Sequence, residues 1–250
     1  MKRSFYALTC AAVLASSAMA DFARVEMGAG VWSQTPKGEA SYTDNGANGR
    51  YVSDEKEENS AYVWALVKHP IPIVPNLRLE YVSIEDDGKA TGQFKDFNIG
   101  AVSTTLSYEM KQYDIIPYYN ILDNTAWITL DLGLDIKVVD LSYTAAPLAP
   151  FTGYSDSVTF AVPLLYVRGR VEIPATNIGI EADIKYVSTG DSTVYDARAK
   201  VDYTLDFFPV IKPALEVGYR VQKLDIDEDD VDAKADIDFS GVYAGLMVRF

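Results

Sequence analysis

The sequence predicts an all-β chain closed into an antiparallel transmembrane β-barrel of about ten strands, with short turns at one end and longer loops at the other. Three observations point there. Apolar and polar residues alternate with period two over most of the chain, the repeat of a strand and not of a helix. The alternating segments recur as hairpins, near 23–33, 59–69, 76–86, 104–121, 126–141, 157–172, 178–188, 193–207, 212–225 and 235–250. Beyond the N-terminus no stretch holds 18 consecutive apolar residues, so any crossing of a bilayer falls to strands. The same spacing accommodates eight or twelve strands.

The chain opens as an export signal reads: basic Lys2 and Arg3, an apolar run from Phe5 to Ala15, and the small-x-small site Ala18-Met19-Ala20. Cleavage after Ala20 would leave residues 21–250 as one barrel domain without cysteine, since Cys10 lies in the leader. Loss of Lys2 and Arg3 takes the formal charge from −14 to −16.

The strands then follow in order. Val25, Met27, Ala29 and Val31 oppose Arg24, Glu26, Gly28 and Gly30. Leu77, Leu79 and Tyr81 oppose Arg78 and Glu80, and Ile128 to Val138 alternates with Asp131, Gly133, Asp135 and Lys137. Ile178 to Tyr186 alternates with Gly179, Glu181, Asp183 and Lys185. Tyr195 to Phe207 alternates with Asp196, Arg198, Lys200, Asp202 and Asp206, and Leu215 to Val221 with Glu216, Gly218 and Arg220. Pro117 and Pro163 fall inside strands and mark bulges or earlier strand ends. In the last strand Ile237 and Phe239 oppose Leu246, Val248 and Phe250, which predicts a bulge near Ser240-Gly241. Short connections fall at 70–75, 122–125, 173–177 and 208–211; long polar ones fall at 34–58, 87–103, 142–156 and 226–234. The short link at 189–192 breaks this rule.

Composition sets limits. A chain 48% hydrophobic and 23% charged is not a disordered one. Its acidic balance argues against nucleic acid as a partner. One Cys and one His argue against thiol, zinc or other metal chemistry, and no cofactor is expected. His69, before Pro70 at a short turn, reads as a turn residue. No nucleophile elbow or phosphate loop appears.

Alternation alone does not say which face points outward. Export, charges of both signs on the polar face, and the placing of aromatics favour apolar faces turned to lipid. Tyr119, Trp127 and Phe207 gather near the short turns, Tyr81 and Tyr195 toward the long loops, as two interfacial girdles would. The chain ends on an alternating strand at Leu246, Val248 and Phe250. On these features it resembles the small outer-membrane β-barrel proteins of Gram-negative bacteria, which include porin-like and largely uncharacterised families. The resemblance implies an outer-membrane location and contact with lipid and lipopolysaccharide. It also implies that the barrel-assembly machinery reads Leu246, Val248 and Phe250.

With the apolar faces outward, the lumen receives charge. Its bases are Arg24, Arg78, Lys137, Arg168, Arg170, Lys185, Arg198, Lys200, Arg220 and Arg249. Its acids are Glu26, Glu80, Asp131, Asp135, Glu172, Glu181, Asp183, Asp196, Asp202, Asp206 and Glu216. The near balance predicts cross-strand ion pairs filling a narrow interior, not a charge-selective pore. Inward Gly28, Gly30, Gly133, Gly179 and Gly218 leave room either for long Arg side chains or for a thin water channel. The leading expectation is a non-enzymatic barrel with a structural or surface-interaction role. The alternatives are a narrow porin-like channel for small solutes and a carboxylate-based hydrolase. Surplus acid collects in the long loops, for example Asp54, Glu55, Asp87, Asp225 and Asp227, with weak divalent-cation binding at most. Asp225, Asp227 and Asp229 have the spacing of a calcium loop, but Asp230 stands where that loop needs Gly.

Overall fold

The computed structural model describes residues 23–44, 47–71, 73–94, 97–147, 153–208, 210–227 and 233–250. The leader, including Ala18 and Ala20, lies outside them, as do Asp229 and Asp230. Every described element is a strand: β1 (Arg24–Asp44), β2 (Ala47–Ser53), β3 (Glu58–Lys68), β4 (Asn76–Phe94), β5 (Phe97–Thr125) and β6 (Ile128–Ala145). They continue as β7 (Tyr154–Glu172), β8 (Ile178–Thr189), β9 (Ser192–Thr204), β10 (Lys212–Ile226) and β11 (Ala233–Arg249).

Eleven segments make a wall of ten strands. β2 and β3 both pair with β1 on one side and with β4 on the other, so they share one place, interrupted at 54–57. β11 returns to β1, from Glu26↔Arg249 up to Tyr42↔Ala233. The Phe250 N–H donates to the Val25 carbonyl at 2.9 Å. Closure has a physical cause: hydrocarbon offers no hydrogen-bond partner, so a spanning sheet must satisfy both edges itself.

The long loops expected at 34–58 and 87–103 are largely strand. β1 and β4 run on as ladders to Asp44 and Phe94, and β5 begins at Phe97. These hairpins stand above the rest of the wall.

The alternation changes phase along β4, β6, β10 and β11. On β4 the outward residues pass from Leu77, Leu79 and Tyr81 to Ser83, Glu85, Asp87 and Lys89. Its inward residues pass from Arg78 and Glu80 to Val82, Ile84 and Ala90, all buried. On β6 the outward face changes between Val138 and Asp140, as inward Lys137 gives way to Val139. β10 changes between outward Val221 and Lys223, and β11 between Val242 and Ser240. Below this level the barrel is apolar outside and charged inside; above it the barrel is polar outside and apolar inside. Strands surrounded by hydrocarbon and strands surrounded by water need opposite exteriors.

This inversion corrects the bulge expected at Ser240-Gly241. β11 keeps a constant register with both β1 and β10. Ile237 and Phe239 oppose Phe250 because they face the apolar upper interior, where Phe239 is fully buried. The prolines sit at gaps in the ladder: the β5–β6 register skips Ile116 and Pro117, and Pro163 lies past the last β7–β8 pair, Leu165↔Tyr186. Asp206, expected in the lumen, lies beyond the end of β9 and is exposed, because β9 stops at Thr204.

Candidate functional site

The lower lumen holds one continuous ion-pair network. At the lower rim Arg24 and Arg249 flank Glu26 at 2.5 and 2.9 Å. Arg249 also reaches Asp202 at 3.1 Å, and Asp202 takes Arg170 at 2.6 Å. Arg168 bridges Asp131 at 2.5 Å and Glu181 at 2.7 Å. Arg78 ties this layer to the next, bonding Glu80 at 2.5 Å and lying 3.4 Å from Glu181. Arg198 spans Glu80 at 2.6 Å and Asp183 at 2.9 Å. Higher up, Lys137 meets Asp114 at 2.7 Å, and Arg220 meets Asp196 at 2.6 Å. Lys185 joins Glu80 at 2.7 Å and also contacts Asp114. Lys200 bonds Glu216 at 2.8 Å. Asp135 lies within this assembly, fully buried, but among the described residues neither of its oxygens has a hydrogen-bond partner and it enters no ion pair.

Aromatic rings complete the filling. Trp64 lies between Lys200, 4.5 Å from its ring centroid, and Arg78, at 4.9 Å. Its indole N–H and the Tyr62 hydroxyl both donate to Glu216, at 3.1 and 2.7 Å. The inward glycines mostly serve these rings. A Cβ on Gly28 would fall 2.5 Å from the Trp64 nitrogen, and one on Gly218 would fall 2.7 Å from Tyr243. Gly179 does make room for an arginine, Arg170. None of Gly28, Gly30, Gly133, Gly179 and Gly218 borders open space.

Above the charges the lumen is an apolar plug in which Trp32, Ile84, Val139 and Phe239 are buried. Polar groups are buried there too: the Tyr51 hydroxyl donates to Asp86 at 2.7 Å, the Gln222 amide donates to Gln112 at 3.0 Å, and Gln34 is fully buried. Burial pushes the Asp86 carboxyl above its ordinary range, against the pull of the Tyr51 hydrogen bond. A cavity of about 230 Å³ at the lower rim is lined by Arg170, Glu172, Asp206, Lys212 and Arg249, and one of about 340 Å³ lies on the outer face of upper β1 and β11, between Lys37, Glu39, Lys234 and Asp236.

The aromatics predicted as girdles fall at two levels. Tyr81 and Tyr195 are the last outward residues before the change of phase on β4 and β9, and Tyr81 packs on Tyr113 at 5.1 Å. Tyr119, Trp127 and Phe207 are exposed at the lower rim, where the Tyr119 hydroxyl donates to the Ile73 carbonyl. Leu246 and Phe250 are exposed on the outer wall and at its lower edge.

Sequence reading missed Asp114 and the lumen rings Tyr62, Trp64, Tyr118, Tyr166 and Tyr243. On β3, Tyr62, Trp64 and Leu66 point inward while Val63 and Val67 point outward, so both faces are apolar and no phase is visible. Ile115-Ile116 and Tyr118-Tyr119 blur β5 around Asp114 in the same way.

His69 sits between β3 and β4 with both ring nitrogens engaged. Nε2 contacts the Pro75 carbonyl at 3.0 Å, and Nδ1 accepts the Ile71 N–H at 3.2 Å. It therefore donates through Nε2 and braces a turn. Among the described residues no group of His, Cys, Asp and Glu is placed to hold a metal ion.

No protein-family model matches the chain, and no curated protein matches it. Solved structures do. The barrel is similar to the outer membrane protease OmpT from Escherichia coli, with a TM-score of 0.53 and 10% identity over 91% of this chain and 96% of that one. The fold is that of a Gram-negative outer-membrane β-barrel. The translocator domain of the autotransporter NalP from Neisseria meningitidis matches less well, with a TM-score of 0.42 and 12% identity over 89% of this chain and 88% of that one. The CymD monoaromatic hydrocarbon channel gives 0.29 and 10% identity over 90% and 69%. At these identities the likeness concerns the fold alone.

Proposed function

We propose that this outer-membrane barrel is sealed and non-enzymatic, and that it acts through the hairpins it raises above the membrane. The observation that carries this is the filled lumen. Lys137, Lys185, Asp135 and Asp196 have no solvent exposure, and the apolar plug lies above them. A pore needs continuous water, and buried paired charges beneath a packed, largely apolar layer leave no path for it. A hydrolase of the Ser/His or Asp/His type needs a histidine free to take a proton; the single one, His69, braces a turn at the rim where the termini meet.

The protein would reach the outer membrane by cleavage after Ala20. The assembly machinery would recognise Leu246, Val248 and Phe250, and Tyr81, Tyr195, Tyr119, Trp127 and Phe207 would anchor it at the two interfaces. Its outer wall would contact lipid and lipopolysaccharide. Divalent cations would meet the acidic upper rim only weakly.

The test is conductance of the purified barrel in planar bilayers. The sealed reading expects a silent bilayer carrying folded protein; stepwise openings with a steady ion preference would favour a narrow channel instead.

A further inference from the structure

Two turns at the lower rim are apolar where a turn in water would be polar. Between β3 and β4, residues 70–75 are three prolines and three aliphatics, with no polar side chain. Ile73 is 90% exposed, and Val74 is exposed beside it. Between β9 and β10, Phe207, Phe208 and Val210 are exposed, Val210 at 72%. Both turns continue the apolar outer wall: exposed Val67 and Leu77 lie above the first, and exposed Tyr203 and Leu215 above the second. The charges beside them are paired, Lys68 with Asp123 at 2.6 Å and Lys212 with Asp206. The β7–β8 turn is of the ordinary wet kind: the Thr176 N–H and hydroxyl both donate to the Ile173 carbonyl, at 3.2 and 2.8 Å.

Ile73 is also strained. Its φ is +74°, in the left-handed region that turns usually give to Gly or Asn and that disfavours a β-branched residue. In water its exposed side chain would offset none of that strain, whereas hydrocarbon would cover it. The backbone suits the same surroundings. The Ile73 carbonyl accepts from the Tyr119 hydroxyl, and Tyr119 stands on the outer wall, so the turn leans outward over the lipid face and not beneath the lumen. Pro70, Pro72 and Pro75 have no N–H, which removes half the donors of residues 70–75, and every donor away from water needs a partner.

We propose that the β3–β4 and β9–β10 turns are lipid-inserted anchors. They lie in the periplasmic leaflet of the outer membrane, with Ile73, Val74, Phe207, Phe208 and Val210 among phospholipid acyl chains, and they set the depth at which the barrel sits. Round the wall they flank the β11–β1 pair that closes the barrel, so both sides of that seam are held in lipid. Phospholipid is the occupant that continues the lipid face of the wall. A soluble partner would leave both apolar turns in water whenever it was away, an aggregation-prone state. The anchors work in the same way whether or not the lumen conducts.

The test is hydroxyl-radical footprinting of the full barrel in phosphatidylcholine vesicles, with no partner protein present. Val52, on the outer face of β2 and 38% exposed, is the water-facing reference. By exposure alone Val210 would oxidise faster than Val52. As an anchor it should oxidise more than about tenfold slower, because water, the source of the radical, is absent from hydrocarbon. Oxidation of Val210 at or above the rate of Val52 overturns lipid insertion and leaves the turns to a protein partner. Ile73→Asn adds a readout whose sign differs between the two surroundings. Asn suits the positive φ, so in a turn surrounded by water it should raise the urea midpoint of the barrel in vesicles. In lipid it should lower that midpoint, because a polar group replaces an apolar one there. An unchanged or raised midpoint overturns the β3–β4 anchor.

Discussion

Lys185 on β8 and Glu80 on β4 meet at 2.7 Å although β5, β6 and β7 stand between them in the wall. Their side chains span the lumen nearly from one side to the other. Lys185 also serves Asp114 and Asp196, so one ammonium ties three other strands together. Removing it leaves buried carboxylates short of a cation, which costs about 3–5 kcal/mol. Lys185→Met should lower stability by that order in urea unfolding of the folded barrel. A loss under about 1 kcal/mol would mean that the lumen admits enough water to solvate Glu80.

The glycine-to-ring contacts give a sharper, pairwise expectation. Gly28→Val places a Cβ against the Trp64 indole, and overpacking of this kind costs about 1–3 kcal/mol. In a Trp64→Ala background the same substitution should cost much less, because the ring it strikes is gone. Equal costs in both backgrounds, read from unfolding midpoints, would show that strand propensity and not the ring contact decides.

The change of phase predicts where a charge is tolerated on the outer wall. Val201 is outward and 44% exposed in the apolar band, so Val201→Lys should cost about 2–4 kcal/mol and impair folding into liposomes. Ser142 is outward on β6 above the change, and Ser142→Lys should fold as the parent does. The readout is the fraction of protein that migrates faster unheated than boiled. Lys200→Val is no neutral control, because Lys200 is the partner of buried Glu216.

Closure at the termini predicts an assembly defect. Phe250 exchanges two backbone hydrogen bonds with Val25, at 2.9 and 3.5 Å. Deleting Phe250 should slow assembly in cells, seen as a lower folded fraction in the membrane after a pulse of synthesis. An unchanged fraction would remove the proposed recognition of this terminus.

The ten-strand wall and its inside-out charge pattern were legible because one solvent, hydrocarbon, imposes one phase over each spanning segment. Ile128 to Val138 and Tyr195 to Tyr203 show it plainly. Legibility ended where the solvent changed. Above the band Phe239 is inward and Asp238 outward, and a rule holding one phase along the strand turned that into a bulge. The same change disguised the ladder from Gln34 to Asp44 as a loop, since Pro36 and Gly38 break its pattern. Which ring would lie on which glycine was not legible either, because cross-strand register decides it.

The three tryptophans test the central claim most directly. Trp32 and Trp64 face the filled lumen, at 0% and 4% exposure, while Trp127 stands on the outer surface at 57%. In liposomes, variants keeping one tryptophan each should separate cleanly. Trp127 fluorescence should be quenched by brominated lipid, and Trp32 and Trp64 should resist both brominated lipid and aqueous acrylamide. Strong acrylamide quenching of Trp64, or a Trp127 blind to brominated lipid, would contradict a barrel that is lipid-facing outside and closed within.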